Sequence, residues 1–235
     1  MRFMVMHRVD AEMEAGGPPS QAIIQNMGRY IGDAIKSGVF EDGAGLHRSA
    51  QRVRLVFERG ECTVIRGPYP GDNELLASFA MIKATSMEHA IELAKLLAAA
   101  GGDHEIEIGP VVEGWDLHGG TRPKNAPFRF LLLRKADAAF EGGAPQPAGV
   151  QAVLDEWKRD GILESAASLT PSSSGARYRK TAGKRTWLDG PFTESKELVA
   201  GYSIINVPSL AEAKAWAEKY AAILGDNEVD VRVVG

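Results

Sequence analysis

The sequence carries itself twice. Moved along by 123 positions, residues 37–112 fall onto residues 160–235 without a gap. Gly38 meets Gly161, Glu41 meets Glu164, Leu46 meets Leu169 and Arg54 meets Arg177. Gly67-Pro68 meets Gly190-Pro191, Glu74-Leu75 meets Glu197-Leu198, and Ser86 meets Ser209. The starts align at an offset of 127, with Phe3-Met-Val-Met against Phe130-Leu-Leu-Leu. A register held this long is a tandem duplication, and two copies are too few for a solenoid. The units occupy 1–112 and 128–235, joined by a turn-rich, aperiodic linker at 113–127.

Both units read alike. Residues 2–8 and 128–135 are β-rich apolar runs, expected to be buried strands. A Gly/Pro-containing segment follows each. Ser20 can then cap a helix whose Ile23, Ile24, Met27, Ile31 and Ile35 recur at helical spacing, and Val150, Val153, Leu154 and Trp157 take that role in the second unit. Gly38 and Gly161 suit the C-terminal stops. Extended runs at 39–47, 52–58 and 62–66 correspond to 162–169, 175–180 and 185–188. Long strands follow at 75–85 and 198–207, then helices starting at Ser86 and Ser209, then closing strands at 105–112 and 229–234. The order β-α-β-β-α-β with an extra hairpin is the ferredoxin-like, split βαβ pattern of the α+β class. Helices cover one face of such a sheet, so the other needs a cover, and the sister sheet is the obvious one. The expected architecture is two tandem ferredoxin-like units packed face to face as a pseudo-dimer, with loops bordering a cavity.

Composition narrows the partners. A net charge of −4 and a pI near 5.8 oppose a nucleic-acid surface. The basic cluster Arg177-Tyr-Arg-Lys180 with Lys184-Arg185 is then a solvated hairpin face. No apolar run reaches membrane-spanning length, and the start is too short in its apolar part for a signal peptide, so a cytoplasmic location is expected. Cys62 is the single cysteine, which excludes an internal disulfide and reads as an ordinary strand residue. No two histidines have metal-ligand spacing, so no metal and no cofactor are expected.

The stretch Asp189-Gly-Pro-Phe-Thr-Glu-Ser-Lys-Glu197 resembles the DGPFAETKE signature of the YCII-related proteins. Arg2-Phe-Met-Val-Met, Gly43-Ala-Gly-Leu-His47, Val53-Arg54 and Glu105-Ile-Glu-Ile108 are similar to other fixed points of that family. The resemblance covers nearly the whole of both units and implies a dimeric α/β-barrel. Some members are proposed to use a His–Asp pair for acid/base or dehydrochlorinase-like chemistry. The copies depart from the pattern in complementary ways. The second keeps Asp189, Phe192, Glu194 and Lys196 but has Thr170 where the first has His47, and the first has Arg66 and Asn73 where the second has Asp189 and Lys196.

These features define the candidate residues. Asp189 is a general base or an orienter of a histidine, or else a turn residue bonding its own backbone. His47 is the one histidine near a family fixed point, and the first unit can lend it across the pseudo-dimer. Phe192, Glu194 and Lys196 are candidate ligand contacts, or for the last two a surface ion pair. Arg54 and Arg177 either bind an anionic group or bridge to Glu41 and Glu164. Two functions fit: a cofactor-independent enzyme abstracting a proton from a small polar molecule, or a non-catalytic sensor of such a molecule. A purely structural hairpin loop is the third alternative. The internal pseudo-dimer leaves room for a further homodimer.

Overall fold

Each apolar run becomes a strand, and β1 (Arg2–Arg8) is the first. The computed structural model describes residues 1–17, 19–72, 74–102, 104–117, 119–192, 195, 198–225 and 227–235. After β1 come a short helix α1 (Ala11–Ala15) and a long one, α2 (Gln21–Lys36). The Ser20 hydroxyl caps α2 by accepting from the Ile23 amide at 3.2 Å, and the helix stops before Gly38, whose φ of +67° suits glycine. The first repeat continues with β2 (Phe40–Leu46), β3 (Val53–Glu58), β4 (Glu61–Arg66), β5 (Leu76–Ala84), α3 (Met87–Gly101) and β6 (Glu105–Val112). The joining segment contains α4 (Gly114–Leu117), a turn of helix that its lack of periodicity hid. The second repeat holds β7 (Phe128–Lys135), α5 (Ala138–Glu141), α6 (Ala148–Arg159), β8 (Leu163–Ser168), β9 (Ala176–Thr181) and β10 (Lys184–Asp189). It closes with β11 (Val199–Asn206), α7 (Leu210–Leu224) and β12 (Glu228–Val233).

The fold is α+β, two ferredoxin-like sheets packed as a pseudo-dimer, but neither sheet belongs to one repeat. β1 pairs with β11 and β12 of the second repeat, Met4 opposite Ile204 on one side and Arg232 on the other. β7 likewise pairs with β5 and β6 of the first, Leu131 opposite Met81 and Gly109. One sheet, β10-β9-β12-β1-β11-β2, is therefore built from the two ends of the chain, and we call it the terminal sheet. The other, β4-β3-β6-β7-β5-β8, is built from the middle and is the middle sheet. They join edge to edge at two short seams, Leu46 opposite Val111 and Leu169 opposite Val234, which are equivalent under the repeat.

Two faces bury apolar side chains under helices. Phe3, Val5, Ile205 and Val231 of the terminal sheet pack beneath α2 and α7. Ile82, Ile106, Ile108 and Leu132 of the middle sheet pack beneath α3 and α6. The inner faces cover each other through Met4, Met6, Met81, Leu131, Leu133 and Ile204, all fully buried. Each such side chain contributes roughly 1.5–3 kcal/mol on burial.

The chain crosses between sheets at residues 47–52 and again at 170–175, and a tight turn marks each crossing. Gly67 donates to the Arg52 carbonyl at 3.1 Å and Gly190 to the Gly175 carbonyl at 3.1 Å, seating each Gly-Pro loop on its own crossing. A methyl group on Gly67 would lie 1.7 Å from the Ser49 carbonyl oxygen, and one on Gly190 would lie 1.8 Å from that of Ser172. Glycine is retained in both copies because backbone occupies the space a side chain needs. Gly190→Ala is expected to cost more than about 3 kcal/mol, whereas Gly28→Ala, on the open face of α2, should stabilise by up to about 1 kcal/mol; urea unfolding compares them.

A histidine sits under the helices of the terminal sheet. His7 is buried with Nδ1 2.5 Å from the Tyr220 hydroxyl, their rings meeting edge to face. Burial first, then the charges of Arg52 and Arg8, push its pKa from 6.5 to about 3. Between those values the unfolded chain takes a proton that the folded chain refuses, so stability falls as pH drops through the interval, by up to roughly 4–5 kcal/mol. His7→Gln should flatten the pH dependence of urea unfolding between about pH 6 and pH 4; an undiminished slope would contradict the assignment.

Candidate functional site

Successive strand residues face opposite ways, so the partners of the helix-facing apolar residues point between the sheets. Several are charged. In the middle sheet Arg54 meets Glu74 at 2.7 Å and Glu105 at 3.0 Å, with Glu107 at 3.6 Å. Lys135 joins Glu74, and Arg52 donates to Glu107 at 2.8 Å and to the Val199 carbonyl at 2.8 Å. In the terminal sheet Arg177 meets Asp230 at 2.6 Å and Glu228 at 3.1 Å, and Arg8 joins Asp230. Although its own burial opposes it, the Arg8 and Arg177 guanidiniums hold the Asp230 carboxyl below the usual range. Burial, with Arg54, Arg8 and Arg52 beside it, pushes Lys135 well down. The copies match even in their stacking: Arg54 lies 4.4 Å over the Tyr69 ring and Arg177 lies 4.4 Å over the Phe192 ring.

Arg54 and Arg177 are thus bridging residues, but with partners other than Glu41 and Glu164. Glu41 pairs with Arg2, and Glu164 with Lys83 and Arg129. Arg177 also departs from the solvated face expected for its cluster, for it points between the sheets. The two signature loops meet where the Glu74 amide donates to the Ser195 carbonyl at 2.7 Å. Glu194 and Lys196 lie outside the described residues. Phe192 is buried in a small apolar cluster with Leu75, Ala77 and Ala136.

Asp189 ends β10 with its side chain 76% exposed, paired to Lys214 of α7 at 2.6 Å. It borders neither of the cavities described here. His47 does not meet it. Because each Gly-Pro loop rests on its own crossing, His47 shares a hollow with Arg66, while Asp189 stands at the position equivalent to Arg66, beside the other crossing.

That hollow is a cavity of about 800 Å³ at the first seam. His47 lines it with Nε2 3.4 Å from Oδ2 of Asp116 in α4. The histidine backbone is clamped on both sides: its amide donates to the Pro110 carbonyl at 3.0 Å, and Arg52 Nε donates to its carbonyl at 2.5 Å. Asp116 is placed by accepting from the Glu113 amide at 2.8 Å, and Glu113 in turn takes a two-pronged ion pair from Arg129, at 2.6 and 2.9 Å. Trp115, Met87, Phe128 and Phe130 supply apolar wall, and Arg66 and Arg122 supply positive charge. The segment between the repeats, expected to be a plain connector, therefore walls the cavity and provides Asp116. The repeat gives no sign of Asp116, because it lies in the joining segment, outside the matched stretches 37–112 and 160–235. Among the described residues no group of three or more His, Cys, Asp and Glu side chains is arranged to hold a metal, and no helix is long and apolar enough to cross a membrane.

A duplicated α+β barrel with a Gly-Pro loop at each crossing defines the class. The chain belongs to the YCII-related family, whose domain matches residues 1–113 and again residues 129–233. An uncharacterized protein of Rhizobium meliloti (strain 1021) is 37% identical over 68 residues, 29% of this chain and 55% of that protein. The chain thus matches little more than half the length of that relative. No solved structure matches the chain.

Arg54→Ala leaves Glu74 and Glu107 facing each other without their shared guanidinium, and should cost about 3–5 kcal/mol in urea unfolding. Asp189→Asn, at an exposed pair, should leave the unfolding midpoint in place.

Proposed function

We propose that the chain is a cofactor-independent protein acting on a small polar molecule in the first-seam cavity, with His47 as the proton-handling group and Asp116 as its orienting partner. The observation that carries this is the His47–Asp116 pair, 3.4 Å apart on clamped backbone inside a cavity large enough for a ligand. A histidine held by a carboxylate can take a proton and return it. Arg66 and Arg122 favour a substrate with an anionic group, and Trp115 and Phe128 favour an apolar portion. Abstraction of a proton next to a carbonyl or a leaving group needs no more than this.

A second reading is binding without turnover. Arg66 favours it, because the first copy has lost the signature carboxylate beside its histidine.

Quenching of Trp115 fluorescence by a panel of small carboxylic acids identifies ligands, and product analysis follows each one bound. His47→Gln is expected to lower turnover about 10²–10⁴-fold with binding changed only a few-fold. Unchanged turnover overturns the assignment. Loss in Asp189→Asn instead moves the chemistry to the second repeat. A rise in melting temperature on binding with no product after long incubation supports the sensor.

A further inference from the structure

A second cavity lies on the other side of the middle sheet. It measures about 320 Å³ and lies between α6, β5 and β8, with Leu97, Leu132 and Leu154 supplying apolar wall among polar side chains that include Gln146, Gln151 and Ser168. The terminal sheet shows why it is hollow. There the repeat places Tyr220 where the middle sheet has Leu97, and His7 where it has Arg134. The strand register agrees, for His7 opposes Gly201 and Arg134 opposes Ser78, residues that are themselves equivalent. Tyr220 packs against His7 with ring centroids 5.3 Å apart, and Tyr30 lies 5.4 Å from Tyr220. Three rings thus pack together under the helices of the terminal sheet. Leucine and arginine cannot fill the same room.

Charged side chains line the room as well as leucines. Arg134 Nε is buried with no hydrogen-bond partner, and its side chain makes no ion pair with a described residue. Lys158 of α6 also lines the cavity and makes no ion pair among the described residues. Of the two acids in the lining, Glu164 pairs with Lys83 at 3.1 Å and Arg129 at 3.3 Å, and Asp155 accepts from Gln151 of its own helix at 2.8 Å; neither forms an ion pair with Arg134. A buried guanidinium nitrogen without an acceptor calls for one, and a guanidinium matches a carboxylate in shape.

We propose that this cavity is a second binding site, taking a small carboxylate with an apolar body: the carboxylate on Arg134, the body against Leu97, Leu132 and Leu154. It is separate from the His47 cavity and stands whether or not that site turns over a substrate.

Benzoate is the probe, with benzamide and inorganic phosphate beside it, titrated into the full ¹⁵N-labelled chain. Benzoate should shift amide resonances of residues 148–159 and 163–168, and bind about tenfold more tightly than benzamide or phosphate. Leu97→Tyr, which puts the sister copy's ring in place, should keep the spectrum of a folded chain and abolish these shifts. Arg134→Gln should bring benzoate down to the affinity of benzamide. His47→Gln should change nothing at this site. No shift of these residues with benzoate in the native chain overturns the proposal. So does undiminished binding in folded Leu97→Tyr, or a preference for benzoate that survives Arg134→Gln.

Discussion

Met4 pairs with Ile204, although Met81 is the residue that its own repeat offers at that register. From this choice of partner the rest of the architecture follows. Neither repeat completes a sheet alone, since the first contributes β1 and β2 to the terminal sheet and the remainder to the middle one. The apolar inner faces have no cover except each other, and the chain must cross between sheets twice. The two copies are then bound by main-chain hydrogen bonds as well as by packing.

The crossings and the charged interior are linked. Where the chain leaves the terminal sheet after Leu46, Arg52 reaches back to the His47 carbonyl. Where it returns after Leu169, Arg232 donates to the Thr170 carbonyl at 2.6 Å. These carbonyls are equivalent, but Arg52 lies in the crossing itself and Arg232 lies on β12. Gly175 stands where Arg52 would be, and a methyl group there would meet Arg232 Cδ at 2.9 Å. Each copy supplies a guanidinium at its crossing and keeps glycine where the other copy has the arginine. The interior carboxylates Glu74, Glu107 and Asp230 are stabilised only while such cations face them.

Much of this was legible beforehand. The duplication, the strand and helix order and the caps at Ser20, Ser86 and Ser209 follow from periodicity and local hydrogen bonding, which a sequence displays directly. The sheets' mutual cover follows from the need to bury apolar faces. Partner exchange was hidden because both copies carry the same pattern, and β1 reads the same against β5 as against β11. The charged interior was hidden for a related reason. Glu105-Ile-Glu-Ile alternates as a strand with one face in water, yet Glu107 is fully buried because its face looks into the barrel. Cations at Arg8 and Lys135 and acids at Glu107 and Asp230, repeated in both copies within apolar strands, were the available signal. Asp189 stood out through its loop, but it ends β10 at the edge of the terminal sheet, its side chain largely exposed and paired with Lys214.

Duplication also let the two halves diverge. The segment that joins them walls the His47 cavity at the first seam. The hollow beneath α6 is filled by tyrosine in the other half. The exchange of β1 and β7 between repeats underlies all of this, and nuclear Overhauser contacts across β1 test it most directly. Contacts of Met4 with Ile204 and of Val5 with Val231 are the expected result; contacts of Met4 with Met81 in their place would show that each repeat folds on itself.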